Sequence, residues 1–255
     1  MRAMILAAGR GERLRPLTYH TPKPMLEVGG RPLLAHQLEW LRRAGIRDVV
    51  INLHHLGEQI ETRFEDGSKY GVHISYSREL ELLETGGGIA HALPLLGEEP
   101  FLVLNGDIFT DFPLVSLQPI PEWADVHLLL TPKPAFRAEG DFESAGGRAT
   151  ARGDSYVYCG ISLLRPELFG RASRVTAATS SADAAETEAA DGTIHPAGSK
   201  TPFSLRDLFF SAVASSQASA QIWPGYWIDI GSIEQLEAAN IHAKHHTLGN
   251  PRAPT

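Results

Sequence analysis

One cysteine, Cys159, stands in 255 residues, so no internal disulfide can form and a reducing compartment is expected. Its setting, YVYCGISLL, reads as a buried strand, which makes Cys159 a core residue rather than a nucleophile. No apolar run approaches the roughly 20 residues that a helix needs to cross a bilayer, so no membrane partner is expected. The chain opens on MRAMILAAG, too short and wrongly laid out for a secretory leader, and a cytoplasmic protein is the expectation. Positive charge is scarce too: 23 Lys and Arg against 30 Asp and Glu leave a formal charge of −7. That balance argues against a general nucleic-acid binder, which leans on excess cations to hold the phosphate backbone. Repeats of fixed period are missing, hexapeptide β-helix repeats included, and no coiled coil replaces them. The oligomeric state, monomer or small homo-oligomer, is therefore unreadable.

What is present is ordinary globular material, 43% hydrophobic and 21% charged, in a chain long enough to bury a large core. The first 115 residues alternate apolar runs with amphipathic segments, which predicts βαβ units and a Rossmann-like, mostly parallel sheet with helices on both faces. MRAMILAA reads as the first strand. Pro32 opens a helix through Ala44, stopped by Gly45, with Leu34, Leu38 and Leu41 on one face. Strands are expected at 48–52, 73–77 and 101–105, with helices at 58–64 and from the glycine run 86–88 to about Leu96. FLVLN at 101–105 is apolar throughout and so central in the sheet. The second half predicts a small mixed β subregion: strands at 125–130 and 155–164 around a hairpin, a helix over 203–214, and a last helix from Ile233. Residues 173–200 are rich in Ala, Ser, Thr and Glu and read as a mobile insertion. One domain is expected over 1–246, with 247–255 a frayed tail.

Directly after the first strand, residues 6–18 read LAAGRGERLRPLT. Glycines let such a backbone turn tightly and offer N–H groups to a concavity, while Arg10, Arg13 and Arg15 surround it with positive charge, as a triphosphate requires. A Walker loop would need Gly-Lys-Ser/Thr, and none occurs. A dinucleotide fingerprint would need a third glycine where Leu14 stands. Lys23 follows between Pro22 and Pro24, which restrict the backbone on either side. Alone, these could be a glycine turn with solvated arginines and a proline-rich turn with an incidental lysine. Together they can neutralise charge on a phosphate under attack.

Transfer at a phosphate needs a divalent cation, and Mg²⁺ favours carboxylates plus water. Asp107 follows FLVLNG, at the carboxyl end of the central strand, where open α/β sheets bind ligands. Asp229 lies in GYWIDIGS, after an apolar stretch and before a helix. Either could instead be a turn residue or helix cap. HAKHH at 242–246 is a rival metal site by composition, though its polar helix end favours a solvated terminus.

The pattern LxxGxGxRLxPLT followed by PKP resembles the signature of sugar 1-phosphate nucleotidyltransferases, and NGD and WxDxG are similar to the motifs that supply that family's metal-binding aspartates. The resemblance implies the nucleotide-diphospho-sugar transferase fold and Mg²⁺ as cofactor, held by Asp107 and Asp229. It implies nucleotide contacts from Ala7, Gly9, Gly11, Glu12, Arg13 and Lys23, with Arg13 and Lys23 catalytic. Thr85 and Gly86 of ETGGG, just before a helix, fall to the nucleobase, and Gly87, Asn105, Asp141 and Gly160 to the sugar phosphate. ETGGGI, ALPLLG, PFLVLNGDIFTD and GDF at 140–142 narrow the resemblance to N-acetylmuramic acid (MurNAc) 1-phosphate uridylyltransferases of cell-wall recycling. UTP and a sugar 1-phosphate are then the small-molecule partners. Mannose 1-phosphate guanylyltransferases share the N-terminal motifs and are the alternative; a catalytically silent nucleotide-sugar sensor is the non-enzyme alternative.

Overall fold

The computed structural model describes residues 1–170 and 202–244, so the expected insertion at 173–200 and tail at 247–255 lie outside the described residues. β1 (Ala3–Leu6) leads into the glycine loop, which continues as short 3-10 turns at 12–14, 17–19 and 23–25. A ribbon of β2 (Glu27–Val28) and β3 (Arg31–Pro32), which the sequence reading lacks, then turns the chain into α1 (Leu33–Arg43). β4 (Asp48–Leu53), α2 (Gly57–Phe64), β5 (His73–Arg78), α3 (Glu84–Leu96) and β6 (Phe101–Asn105) complete the βαβ half. The second half runs β7 (Ile108–Thr110), β8 (Val126–Pro132), the hairpin β9 (Phe142–Ala145) and β10 (Arg148–Arg152), and β11 (Tyr156–Leu164). It closes with α4 (Leu205–Ala214), β12 (Ala218–Ile222), β13 (Trp227–Asp229) and α5 (Ile233–Ala243).

Nine strands form one sheet in the order β5-β4-β1-β6-β11-β8-β12-β10-β9. The four strands from β5 to β6 are parallel; β11 joins antiparallel to β6 and β8, and β12 lies parallel to β8. Alternating side chains feed two cores, one on each face. Ala3, Ile5, Leu102 and Leu104 pack with Leu38 and Trp40 of α1 and Ala239 of α5. Met4, Phe101 and Val103 pack with Ile89 and Leu93 of α3 and Phe209 of α4. Helices thus cover both faces, as two-sided apolar strands require. Cys159 is fully buried in β11, and that burial pushes its thiol well above the ordinary range, in keeping with a core residue.

One boundary differs from expectation. α3 begins at Glu84, so Gly86, Gly87 and Gly88 lie inside the helix rather than before it. Glycine is a poor helix former, yet here tertiary contact decides. The Gly86 and Gly87 amides donate to the Phe203 carbonyl at 2.9 and 3.2 Å, and a Cβ on Gly86 would stand 2.4 Å from the Phe203 ring. The glycines let α3 lie flat against the chain entering α4.

Register sets where the site lies. Leu6 is the partner of Asn52 on one side and of Asn105 on the other, so β1, β4 and β6 end level. Their carboxyl ends open onto one edge of the sheet, and every candidate residue that follows β1 or β6 emerges there.

Candidate active site

The loop after β1 is shaped by close contacts. Gly11 holds φ +61°, a left-handed conformation suited to glycine, and a Cβ there would stand 2.8 Å from Thr18 Cγ2. The Thr18 hydroxyl donates to the Gly11 carbonyl at 2.8 Å and closes the loop on itself. A cavity of about 580 Å³ opens above it. Ala7, Gly9, Gly11, Glu12 and Arg13 line it from the loop, and Lys23 and Thr85 complete the wall from elsewhere in the chain. A second cavity of about 200 Å³ adjoins it, lined by Asp141, Tyr158, Arg137, Arg206 and Asp229. Thr85, Asn105, Asp107 and Ser204 line both, so the two are chambers of one cleft that meet at Asp107.

Asp107 reaches that seam because Gly106 permits it. The Gly106 amide donates to the Leu6 carbonyl at 3.0 Å, and a Cβ would stand 2.4 Å from that oxygen, so only glycine lets β6 leave the sheet so close to β1. Asp107 Oδ2 accepts from Lys23 Nζ at 2.5 Å, with both side chains largely shielded from solvent. Asp107 Oδ1 is buried and has no hydrogen-bond partner. Asp229 is brought alongside by the ribbon of β7 and β13, in which Asp229 pairs with Ile108. The Ile230 amide donates to the Asp107 carbonyl at 2.7 Å and fixes the two aspartate backbones together. Asp229 Oδ1 accepts from Gln235 Nε2 at 2.9 Å, and Oδ2 faces Arg137 Nη1 at 3.3 Å. Gly231, next along, leaves room for the Arg13 guanidinium: a Cβ would stand 3.0 Å from its Nη2.

A buried carboxylate oxygen without a donor is costly unless something positive meets it. Two carboxylates supply too few ligands for a closed metal site but suit Mg²⁺, which keeps water and takes phosphate oxygens for the rest. Among the described residues, no group of three or more His, Cys, Asp or Glu could hold a metal. Of HAKHH, His242 lies flat on the Tyr226 ring at 3.5 Å between centroids; His245 and His246 lie outside the described residues.

In the smaller chamber Asp141 accepts from the Tyr158 amide at 3.0 Å and from Arg206 Nη2 at 2.8 Å. Gly86 and Gly87, given by resemblance to the nucleobase and the sugar phosphate, turn their amides to the Phe203 carbonyl and are not among the residues that line either chamber. Gly160 does not line one either: at φ +73° it makes the bulge in β11, and a Cβ there would stand 2.9 Å from Asn105 Cβ. It shapes the wall behind Asn105 instead.

Sequence reading also missed residues. Arg137 sits in a polar loop, and Arg206 and Gln235 sit in the first turns of α4 and α5, where single polar residues carry no signal of a site. Asn52 and Glu79 form a buried polar brace: Asn52 Oδ1 accepts from the Ala7 amide at 2.8 Å, and its Nδ2 donates to Glu79 Oε1 at 2.7 Å. Glu79 Oε2 accepts from the Leu83 amide at 3.0 Å, tying the loop after β1 to the start of α3. The nearest sequence signal was a polar residue ending an apolar strand. Asn52→Ala removes a donor and an acceptor from a site only 2% exposed. The expected cost is about 1–3 kcal/mol of stability, measured by urea denaturation, and a KM increase for nucleotide.

The fold is shared with solved structures. A Bacillus anthracis protein assigned as a glucose-1-phosphate thymidylyltransferase superposes with a TM-score of 0.77 at 19% identity, over 98% of this chain and 97% of that one. HddC from Yersinia pseudotuberculosis, also solved with GMP-PN, superposes at 0.70 over 94% and 98%, again at 19% identity. The architecture is that of the nucleotide-sugar transferase class. Within it, this chain belongs to the nucleotidyl transferase family, whose model matches residues 2–120. The N-acetylmuramate alpha-1-phosphate uridylyltransferase of Neisseria meningitidis serogroup B is 40% identical over 252 residues, 95% of this chain and 98% of that one. Its namesake from Caulobacter vibrioides is 34% identical over 93% and 94%. The Drosophila melanogaster mannose-1-phosphate guanylyltransferase catalytic subunit beta is 45% identical, but over 119 residues, 46% of this chain and 32% of that one.

Proposed function

We propose that this enzyme converts UTP and MurNAc 1-phosphate into UDP-MurNAc and pyrophosphate, a reaction of peptidoglycan recycling in the cytoplasm. The observation that carries the chemistry is the two-chambered cleft with Asp107 at the seam and Asp229 beside it in the smaller chamber, because joining two phosphorylated substrates needs two pockets meeting at one charged point. The base and sugar rest on likeness to uridylyltransferases along nearly the whole chain, whereas likeness to the guanylyltransferase covers less than half of it.

An oxygen of the sugar 1-phosphate attacks the α-phosphorus of UTP in line, and the bond from that phosphorus to the bridging oxygen breaks as pyrophosphate leaves. No protein nucleophile is needed; positioning and charge stabilisation do the work. The larger chamber takes the nucleotide, with Gly11, Glu12 and the loop around them at the triphosphate and Thr85 towards the nucleoside. Arg13 meets the departing pyrophosphate. Lys23 turns from Asp107 to the α-phosphate. Asn105 and Asp141 serve the sugar side. Asp107 and Asp229 would hold Mg²⁺, which supplies positive charge to the α-phosphate and the leaving group.

Incubation with Mg²⁺, UTP or GTP, and a panel of sugar 1-phosphates, following pyrophosphate release, tests the reading. UTP with MurNAc 1-phosphate is expected to be the best pair. GTP with mannose 1-phosphate as the best pair would favour the guanylyltransferase, and no release with any pair would favour a nucleotide-sugar sensor.

A further inference from the structure

Arg137 lies in the loop between β8 and β9, and the loop is fastened at several points. The Lys133 amide donates to the Ser155 carbonyl at 3.0 Å, the Lys133 side chain pairs with Asp154, and the Arg137 amide closes a turn on the Pro134 carbonyl at 3.0 Å. Phe136 stacks on Trp227, with centroids 6.3 Å apart and planes 17° apart, and Trp227 is pinned by its indole N–H to the Cys159 carbonyl at 2.7 Å. Arg137 is thereby held against the smaller chamber, whose wall it forms.

Its own bonding is incomplete. Nη1 lies 3.3 Å from Asp229 Oδ2, longer than the roughly 2.7–2.9 Å usual for a guanidinium on a carboxylate. Nε is buried with no hydrogen-bond partner. A guanidinium offers its N–H groups as a planar fork matched to two oxygens of one phosphate, and an idle buried donor is costly to leave so. The chamber's other arginine, Arg206, is already engaged by Asp141 at 2.8 Å. The larger chamber's cations are Arg13 and Lys23, and neither lines the smaller one.

We propose that Arg137 binds the phosphate of the incoming sugar 1-phosphate, holding its non-attacking oxygens beside Asp229 so that the remaining oxygen points across the seam. The assignment rests on the reading of the cleft as a sugar 1-phosphate nucleotidyltransferase site. It makes Arg137 a binding residue for the acceptor alone: the phosphate recognised is common to every sugar 1-phosphate, and the nucleotide is untouched.

The test compares wild type with Arg137→Ala and Arg137→Lys under saturating Mg²⁺, varying each substrate in turn at saturating amounts of the other. Arg137→Ala is expected to raise the KM for MurNAc 1-phosphate at least 10-fold while the KM for UTP stays within 2-fold. Arg137→Lys, which keeps the charge but loses the fork, is expected to recover part of that loss. An unchanged KM for the sugar phosphate overturns the assignment, as does an equal rise in both KM values, which would mark a structural role through Asp229. Thermal melting of each variant separates either result from misfolding. If the wild type itself releases no pyrophosphate from any nucleotide and sugar 1-phosphate pair, the reading of the cleft fails and this assignment falls with it; a working wild type with an indifferent Arg137→Ala refutes the assignment alone.

Discussion

Asp107→Asn is expected to lower kcat by roughly 10³-fold, the upper end of what losing one preorganised charge in such a site costs, while the circular dichroism spectrum and thermal midpoint change little. The amide keeps the shape of the carboxylate, so the backbone contacts of Gly106 with Leu6 and of Asp107 with Ile230 survive. What disappears is the negative charge at the point where the chambers meet. Its loss would weaken the proposed hold on Mg²⁺ and leave Lys23, only 15% exposed, facing a neutral amide in place of its ion-pair partner. Steady-state turnover across a Mg²⁺ titration is the measurement. If turnover at saturating Mg²⁺ equals that of wild type, Asp107 does not hold the metal.

Lys23→Ala carries the second large effect, a fall in kcat on the order of 10²-fold to 10³-fold with a smaller change in KM for UTP. The side chain is held by a 3-10 turn in which the Met25 amide donates to the Pro22 carbonyl at 2.8 Å, so little freedom is lost when it swings to a phosphate. Lys23 and Asp107 touch, and groups that act as one unit do not add. The double variant Lys23→Ala with Asp107→Asn should therefore lose much less than the product of the two single losses. A fully multiplicative loss would mean the two act independently. A single variant with normal kcat would remove Lys23 from the chemistry.

The parallel half of the fold was legible because its strands are apolar runs bounded by amphipathic helices, and periodicity sees both. Asp107 and Asp229 were legible for a related reason: each closes an apolar stretch, and strand ends are where such sheets work. The helix start at Glu84 was not, because glycines 86–88 look like a breaker until Phe203, more than a hundred residues away, accepts the amides of Gly86 and Gly87. Register was invisible as well. That Leu6, Asn52 and Asn105 end level is a fact of pairing, and the Asn52 and Glu79 brace depends on it. Arg137 had no signal, since an arginine in a polar loop looks alike whether it faces solvent or a cleft, and Arg206 in the first turn of α4 looks like any exposed helical arginine. Gly160 was given to the sugar phosphate by resemblance alone; its place in the bulge of β11, packed behind Asn105, depends on pairing that no residue pattern announces.

The ribbon of β7 and β13 sets a schedule for the chain's own birth. Everything that surrounds the glycine loop up to Asp107 leaves the ribosome early, and the βαβ half can assemble around β1, β4 and β6 on local pairings. Asp229 arrives 122 positions after Asp107, and Gln235, which steadies it, comes with the final helix. A chain stopped short of β13 could keep a phosphate-binding loop yet own only one of the two carboxylates. A cleft with both carboxylates in place would thus certify that synthesis had run past β13.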